Sequence, residues 1–395
     1  MKIKSVSEFN FQSCRALVRA DFNVPQKDGE ITDDTRIRAV VPTIKHILSY
    51  PKSRVVIMSH MGRPKGIRRS DLSLSIVASR LQELCGCKVT MANDCIGDEV
   101  KTLSEQLPDG QILLLENLRF YPEEEAGDIN FAKELACLGD VYVNDAFGTA
   151  HRSHASTAVV ARHLPALAGL LMKKEVSVLT ELLLNAESPF VAIIGGAKIS
   201  SKAAVILNLL PKIDRLLIGG GMAYTFLAGN KVNIGKSLYE KEFEKTVKNI
   251  LYKSQELEVT ITLPCDHLIA DRVDVNSNYK MTNDADIPDQ FMGVDIGMQT
   301  VEIFQKQIES ANTILWNGPM GIFEIPQFSE GTKAIAREIS KNRGVSVVGG
   351  GDSVAAINNL GFQSDITHIS TGGGASLELL EGKVLPGVEA LGGNS

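Results

Sequence analysis

Phe190-Val191-Ala192-Ile193-Ile194-Gly195-Gly196-Ala197-Lys198 is a five-residue apolar run that stops on two glycines and leads toward a helix. A run so short and so apolar reads as a strand buried on both faces, and such strands belong to parallel sheets covered by helices. The pattern recurs at Ile218-Gly219-Gly220-Gly221, Val348-Gly349-Gly350-Gly351-Asp352-Ser353 and Ser370-Thr371-Gly372-Gly373-Gly374. Glycine admits a ligand close to the backbone, and a helix start offers unpaired N–H groups and partial positive charge to a phosphate. In a parallel sheet these carboxyl ends gather along one crevice, where nucleotides bind in open α/β folds.

Working outward, the first half predicts strands at Ala16–Ala20, Arg54–Met58, Gln111–Leu115 and Asp140–Val143. The second half adds Arg215–Ile218, Val259–Leu263, Thr313–Trp316, Val345–Val348 and His368–Ser370 to the run at Phe190–Ile194. Helices lie between them. Thr35–Tyr50 carries Ile37, Val40, Val41, Ile44, Ile47 and Leu48 on one face, starts at Asp33 and Asp34, and contains Pro42, where a kink or irregularity is expected. Leu170–Ala186 has neither glycine nor proline and reads as one helix joining the halves. At 395 residues with 44% apolar side chains, two domains are the natural division. The expected fold is α/β: two Rossmann-like domains, each a parallel sheet flanked by helices, joined by a helical linker. Residues 381–395, with Pro386 and four glycines, read alone as loop.

Composition removes several classes. With 47 acidic against 41 basic residues the net charge is -6, which gives nucleic-acid binding no general electrostatic support. No 18-residue apolar run and no signal-peptide pattern occur, so no membrane partner and a cytoplasmic location are expected. The six cysteines lack CxxC pairing and read as reduced packing residues.

The chemistry divides between the halves. No segment fits GxxxxGK[ST], and neither Gly219–Tyr224 nor Gly349–Val354 completes GxGxxG, which disfavours both a Walker site and a nicotinamide-dependent dehydrogenase. Lys198 and Lys202, four apart at a helix start, are expected to share a face toward the glycine crevice. Asp352 is either an N-cap or a magnesium ligand. Near the first-half strand ends stand Asp21, Asn23, Arg36, His60, Arg63, Arg119, His151, Arg152 and His154. Arginine forks suit carboxylate and phosphate oxygens, so this cluster implies a compact anion.

At these residues the chain resembles the phosphoglycerate kinases over essentially its whole length. The matching segments include RADFNVP (19–25), DDTRIRA (33–39), SHMGRPKG (59–66), ENLRF (116–120), NDAFGTAHRSHAST (144–157), GGAKISSK (195–202), WNGPMGIFE (316–324), GGGDSVAA (349–356) and TGGGASLELLEGKVLPGVEAL (371–391). The resemblance implies reversible transfer between ATP and 3-phosphoglycerate, yielding ADP and 1,3-bisphosphoglycerate, with Mg2+, in a monomer that closes on a hinge. It assigns the glycerate to residues 1–170 and the nucleotide to 187–380, with 171–186 as linker and the 381–395 tail packed back on the first domain. Asp21, Phe22, Asn23, Arg36, His60, Met61, Gly62, Arg63, Arg119 and Arg152 match the glycerate positions. Lys198, Lys202, Gly293, Glu324, Gly350, Gly351, Asp352 and Ser353 match the nucleotide positions, with Asp352 on the metal, Glu324 on the ribose, and Arg36 and Lys198 as catalytic groups. Ser201 departs from the family's usual acidic residue, which bears on how Lys202 is oriented. A binding protein that kept the fold without catalysis is disfavoured because every charged site position is filled.

Overall fold

The structure is a computed structural model describing residues 3–392, so residues 1–2 of the expected first domain and 393–395 of the expected tail lie outside the described residues. The chain forms two compact units, 1–177 with 384–395, and 178–383. The division falls inside the helix Leu170–Asn185.

In the first unit, β1 (Arg15–Arg19), β2 (Arg54–Met58), β3 (Val89–Met91), β4 (Ile112–Leu114), β5 (Val141–Asn144) and β6 (Ala166–Ala168) form one sheet in the order β3-β4-β2-β1-β5-β6, every pair parallel. The central strands are buried on both faces, as their unbroken apolar runs require. The sequence missed the two edge strands. Val-Thr-Met at β3 is only three residues long, and Ala-Leu-Ala at β6 has little intrinsic strand preference, so sheet pairing decides both. Helix α1, Thr35–Leu48, packs Ile37, Val40, Ile44 and Ile47 on this sheet. Pro42 withholds one N–H from the Arg38 carbonyl without ending the helix. At its start the Asp33 carboxylate accepts the Thr35 N–H, while Asp34, in the cap position, instead holds Arg38 and Arg80.

The second unit holds β7 (Phe190–Ile194), β8 (Arg215–Ile218), β9 (Thr260–Thr262), β13 (Thr313–Asn317), β14 (Val345–Gly349) and β15 (His368–Ile369), parallel throughout in the order β9-β8-β7-β13-β14-β15. Counted within the sheet this is 3-2-1-4-5-6, the order of dinucleotide-type folds. Between β9 and β13 the chain inserts an antiparallel sheet of β10 (His267–Ala270), β11 (Tyr279–Met281) and β12 (Met292–Ile296), in the order β11-β10-β12. The sequence reading did not anticipate it, because a bulge at Leu268/Ile269 and Gly293 within β12 interrupt the period-two pattern. Among the described residues no helix is long and apolar enough to cross a membrane.

The last described residues are not loop. Pro386–Glu389 is a helical turn with proline at its first position; Leu385, Val388 and Leu391 are buried, and the Gly387 N–H donates to the Ala150 carbonyl at 2.8 Å within the first unit.

β7 and β13 are the neighbours from which connections leave in opposite directions, so their carboxyl ends mark the crevice of the second sheet. The backbones meet tightly there. A Cβ on Gly195 would collide with the Pro319 carbonyl oxygen, and one on Gly220 with the Gly196 backbone. We expect Gly195→Ala to cost about 1–3 kcal/mol, the scale of overpacking. Gly351→Ala, where a methyl group meets nothing within 4 Å, should cost nothing. Denaturant midpoints followed by Trp316 fluorescence check both, and equal midpoints for the two variants would contradict the close-approach argument.

Candidate functional site

The first candidate site grows from the end of β1. Arg19 is fully buried and donates to Ser156 Oγ at 2.8 Å and to the Ala20 carbonyl. Ser156 in turn donates through its hydroxyl and N–H to the buried Glu124 carboxylate at 2.5 and 2.9 Å. Arg19 Nη2 lies 3.2 Å from His60 Nδ1. A guanidinium only donates, so Nδ1 is the acceptor and the ring proton sits on Nε2. Burial, aided by Arg19, Arg119 and Arg36 and opposed by Asp21, holds His60 well below the usual histidine range. His60 is therefore a neutral ring that presents one N–H.

Burial disfavours ionised Asp21, but the His60 ring, Arg36 at 2.8 Å, Arg19 and the Asn23 N–H together outweigh it and hold the carboxyl below its ordinary range. Asn23 Oδ1 accepts the Gly62 N–H at 2.8 Å, and the Gly62 carbonyl accepts from Arg119 at 2.8 Å. One chain of bonds thus ties the loops after β1, β2 and β4. Burial, followed by the charges of Arg119, Arg19, Arg152 and His151, lowers His154 to about 4.

The structure therefore gathers Asp21, Asn23, Arg36, His60, Gly62, Arg119 and Arg152 at one sheet edge. Arg63 and Arg152 are exposed, and neither pairs with a carboxylate among the described residues. Phe22 and Met61 differ from the expectation. Both side chains are buried, so only their backbones can face a ligand. Arg19 was missed. A lone charge at the end of the apolar run Ala16-Leu17-Val18 was its signal, since a buried arginine has to find acceptors.

In the second unit a cavity of about 440 Å³ opens at the crevice of the sheet. Gly196, Gly220, Gly221, Gly293, Glu324 and Asp352 line it, with Tyr224, Leu238 and Met320 among its larger walls. Gly293 is obligatory, because a Cβ there would collide with the Tyr224 hydroxyl.

Several expected nucleotide positions sit differently. Lys198 and Lys202 do not share an α-helical face. Lys198 is exposed and extended before the 3-10 turn Ile199–Ser201, and the α-helix begins only at Ala203. Neither lysine lines the cavity, nor do Gly350, Gly351 and Ser353. Ser353 is buried, its Oγ accepting the Gly318 N–H at 2.7 Å. Gly350, at φ 90°, occupies the cap position of the helix Gly351–Leu360, which leaves Asp352 exposed in the first turn with no capping bond.

Lys202 donates to Asn317 Oδ1 at 2.5 Å, and burial, opposed by Asp352 and Glu381, lowers its ammonium to about 8. Asn317, buried at the end of β13 beside Gly349 and Gly350, was also missed; a polar residue closing the apolar run Thr313–Trp316 was the clue. Ser201, the family departure, donates to the Lys198 carbonyl at 2.9 Å and makes no bond to Lys202.

One parallel α/β unit with arginines clustered at its sheet edge, and another with a glycine-lined crevice, fit the class of phosphotransferases. The phosphoglycerate kinase family model matches residues 6–383. The phosphoglycerate kinase of Borrelia hermsii is 53% identical over 391 residues, covering 99% of this chain and all of that protein. That of Leptospira biflexa is 52% identical over 391 residues, 99% and 98% of the two chains. The solved phosphoglycerate kinase of Coxiella burnetii superposes with a TM-score of 0.89 at 38% identity, covering 99% of both chains. That of Pyrococcus horikoshii gives 0.85 at 32%, covering 99% and 98%. The chain belongs to the phosphoglycerate kinase family, and so to the kinases of glycolysis.

The lowered Lys202 pKa has a measurable consequence. A nucleotide phosphate brought near this ammonium stabilises its charged form and raises its pKa. Nucleotide binding should then take up a proton near pH 8, and affinity should weaken as pH rises through about 8. Calorimetry in two buffers of different ionisation enthalpy reads the uptake, and Lys202→Met should abolish it. Buffer-independent heats from the unsubstituted protein would show that no phosphate approaches Lys202.

Proposed function

We propose that this enzyme transfers the γ-phosphoryl group of ATP to the carboxylate of 3-phosphoglycerate, reversibly, giving ADP and 1,3-bisphosphoglycerate. The observation that carries this reading is the division of labour between the units: a cationic cluster around Arg36 and His60 in one, a glycine-lined cavity in the other. In the forward direction a carboxylate oxygen forms a bond to the γ-phosphorus as the bond to the ADP oxygen breaks. The attacking carboxylate is already ionised at neutral pH, so no general base is needed. What remains is alignment of two anions and stabilisation of charge on the moving group.

In the acceptor half, Arg36 is oriented by its 2.8 Å pair with Asp21, and neutral His60 offers its Nε2–H to the glycerate. Asn23, Gly62 and Arg119 hold the surrounding loops in register, and exposed Arg63 and Arg152 meet the distant phosphate. In the nucleotide half the glycine amides approach the phosphates, Glu324 the ribose, and Lys198 swings from its exposed position to the transferring phosphoryl group.

Magnesium is proposed to arrive with the nucleotide. Among the described residues no group of three acidic, histidine or cysteine side chains could cage a metal. Asp352 alone, exposed on the cavity, fits an ion held by one carboxylate, phosphate oxygens and water. When bound, the ion neutralises phosphate charge. A monomeric, cytoplasmic enzyme completes the proposal, following the family.

Purified protein given ATP, magnesium and 3-phosphoglycerate should form ADP, and no turnover would sink the reading. Lys198→Ala should lower kcat roughly 100- to 1000-fold with the fold intact, the loss of one transition-state donor. Arg36→Ala should reduce kcat as well as glycerate binding, whereas Arg63→Ala should act mainly on KM. Purely KM effects from both arginine variants would refute the assignment of Arg36 to the transferring group.

An acyl phosphate must be shielded from water, and the reacting atoms must come within about 3–3.5 Å. With the two anions held by separate units, the reading includes hinge closure that requires both ligands. Small-angle scattering should give a smaller radius of gyration with both substrates than with either alone. An unchanged curve during normal turnover would exclude closure.

A further inference from the structure

Asp145 directly follows β5, whose neighbour β1 sends its connection the opposite way, so it stands at the crevice of the first sheet. Its carboxylate nevertheless turns into the protein. Oδ1 accepts the Met172 N–H at 3.1 Å. Thr43 Oγ1 accepts the Leu170 N–H at 2.9 Å. Two of the first three N–H groups of the helix Leu170–Asn185, which a free helix end leaves unpaired, are therefore satisfied by one residue following β5 and one on α1. Gly169 makes this possible, because a Cβ there would collide with the Asp145 carboxylate.

A cap needs only to be polar and near. This one goes further in two respects. Thr43 lies two turns along α1 from Arg36, the acceptor-site arginine, so the helix leaving the first unit is bonded to the helix that presents Arg36. Asp145 is also fully buried with Oδ2 lacking any partner. An ionised carboxylate with a bare oxygen inside a protein is costly, so the site favours the neutral acid, and burial lifts the carboxyl to about 7. The ionisable residues on the elements that meet it are Arg15 and Arg19 in β1, Tyr142 in β5, Arg36, Arg38, Lys45 and His46 in α1, and Lys173, Lys174, Glu175 and Glu181 along the helix; burial, and none of these charges, sets the direction of its shift.

We propose that Asp145 and Thr43 together are positioning residues for the phosphoryl transfer: between them they clamp the helix that leaves the acceptor unit to the end of β5 and to the helix that carries Arg36. The proposal rests on the transfer reaction proposed above. A helix that must carry a hinge displacement toward the acceptor site can do so only if its end does not slip on α1. Loosening the clamp should leave each substrate's own binding surface intact while the alignment of the reacting groups suffers.

The experiment compares unsubstituted enzyme, Thr43→Val, Thr43→Ser and Asp145→Asn by steady-state kinetics, calorimetry with 3-phosphoglycerate alone, and amide hydrogen exchange at residues 170–172. Thr43→Val should speed exchange at Leu170 and lower kcat by about tenfold or more, with the glycerate Kd changed less than about twofold. Thr43→Ser, which keeps the hydroxyl, should restore both. Asp145→Asn keeps an acceptor oxygen and removes the titration. A carboxyl whose folded pKa is raised contributes stability present at low pH and lost as pH rises through about 7, so the unsubstituted protein should lose melting temperature relative to Asp145→Asn across that range.

A Thr43→Val kcat within about twofold of the unsubstituted enzyme, or a kcat loss matched by an equal loss of glycerate affinity, overturns the proposal. So does failure of serine to rescue. If Asp145→Asn does not fold, the two Thr43 variants still decide. Inactive unsubstituted enzyme would instead overturn the assigned reaction, while exchange at 170–172 would still report whether the clamp exists.

Discussion

A guanidinium sealed from water has to be met by acceptors on every side, and Arg19 imposes that condition on the carboxyl edge of the first sheet. Its bonds to Ser156 and the Ala20 carbonyl use two faces of the fork, and its contact with His60 Nδ1 uses a third. Glu124, buried and bonded to Ser156, supplies the compensating carboxyl, which burial pushes upward and Arg19 pulls back. From this one buried charge follow the tautomer of His60, the course of the loop after β1, and the field that holds Asp21 ionised for Arg36. A neutral side chain at position 19 would remove the charge that does most to favour ionised Glu124, and a buried carboxyl stripped of its compensation is costly.

The crevice of the second unit is built mainly by close backbone approach. Gly195, Gly220 and Gly318 let three strand ends approach until backbone touches backbone, and Tyr224 fills the space that the absent side chain of Gly293 leaves. Trp316 donates its indole N–H to the Gly318 carbonyl at 2.9 Å, and Ser353 accepts the Gly318 N–H, so the turn after β13 is fixed from both sides. Neutral backbone amides suit a ligand that brings its own counterion. Exposed arginines suit one that does not.

Much of this was legible in the sequence because the parallel strands are unbroken apolar runs that end in glycine or in a charged motif. Ten strands and the connecting helix followed from that alone. The antiparallel insert did not, since its short strands, bulge and Gly293 carry no clean alternation. Nor did the hairpin of Gln26–Lys27 and Glu30–Ile31, although Asp28-Gly29 at its turn, with φ of 53° and 81°, is the dipeptide such turns favour. Among site residues, the exposed arginines could be found by type. Arg19, Asn317 and Asp145 could not, because their importance lies in burial, which depends on partners far along the chain. Lys198 and Lys202 were placed on a common helical face by spacing, and one 3-10 turn was enough to separate them.

The first unit is discontinuous: the residues from Val384 onward belong with a body whose other strands all lie before position 170. Asn144 and Ala150 bond to Gly387, with 243 residues separating Asn144 from Gly387. During synthesis from the amino terminus, the sheet that carries the arginines emerges first but lacks this turn until residues beyond position 384 have been made. The second unit, continuous from Val178 to Lys383, has no such wait. A released chain truncated before Leu385 would thus hold every residue of the second unit and a first unit still missing its last segment.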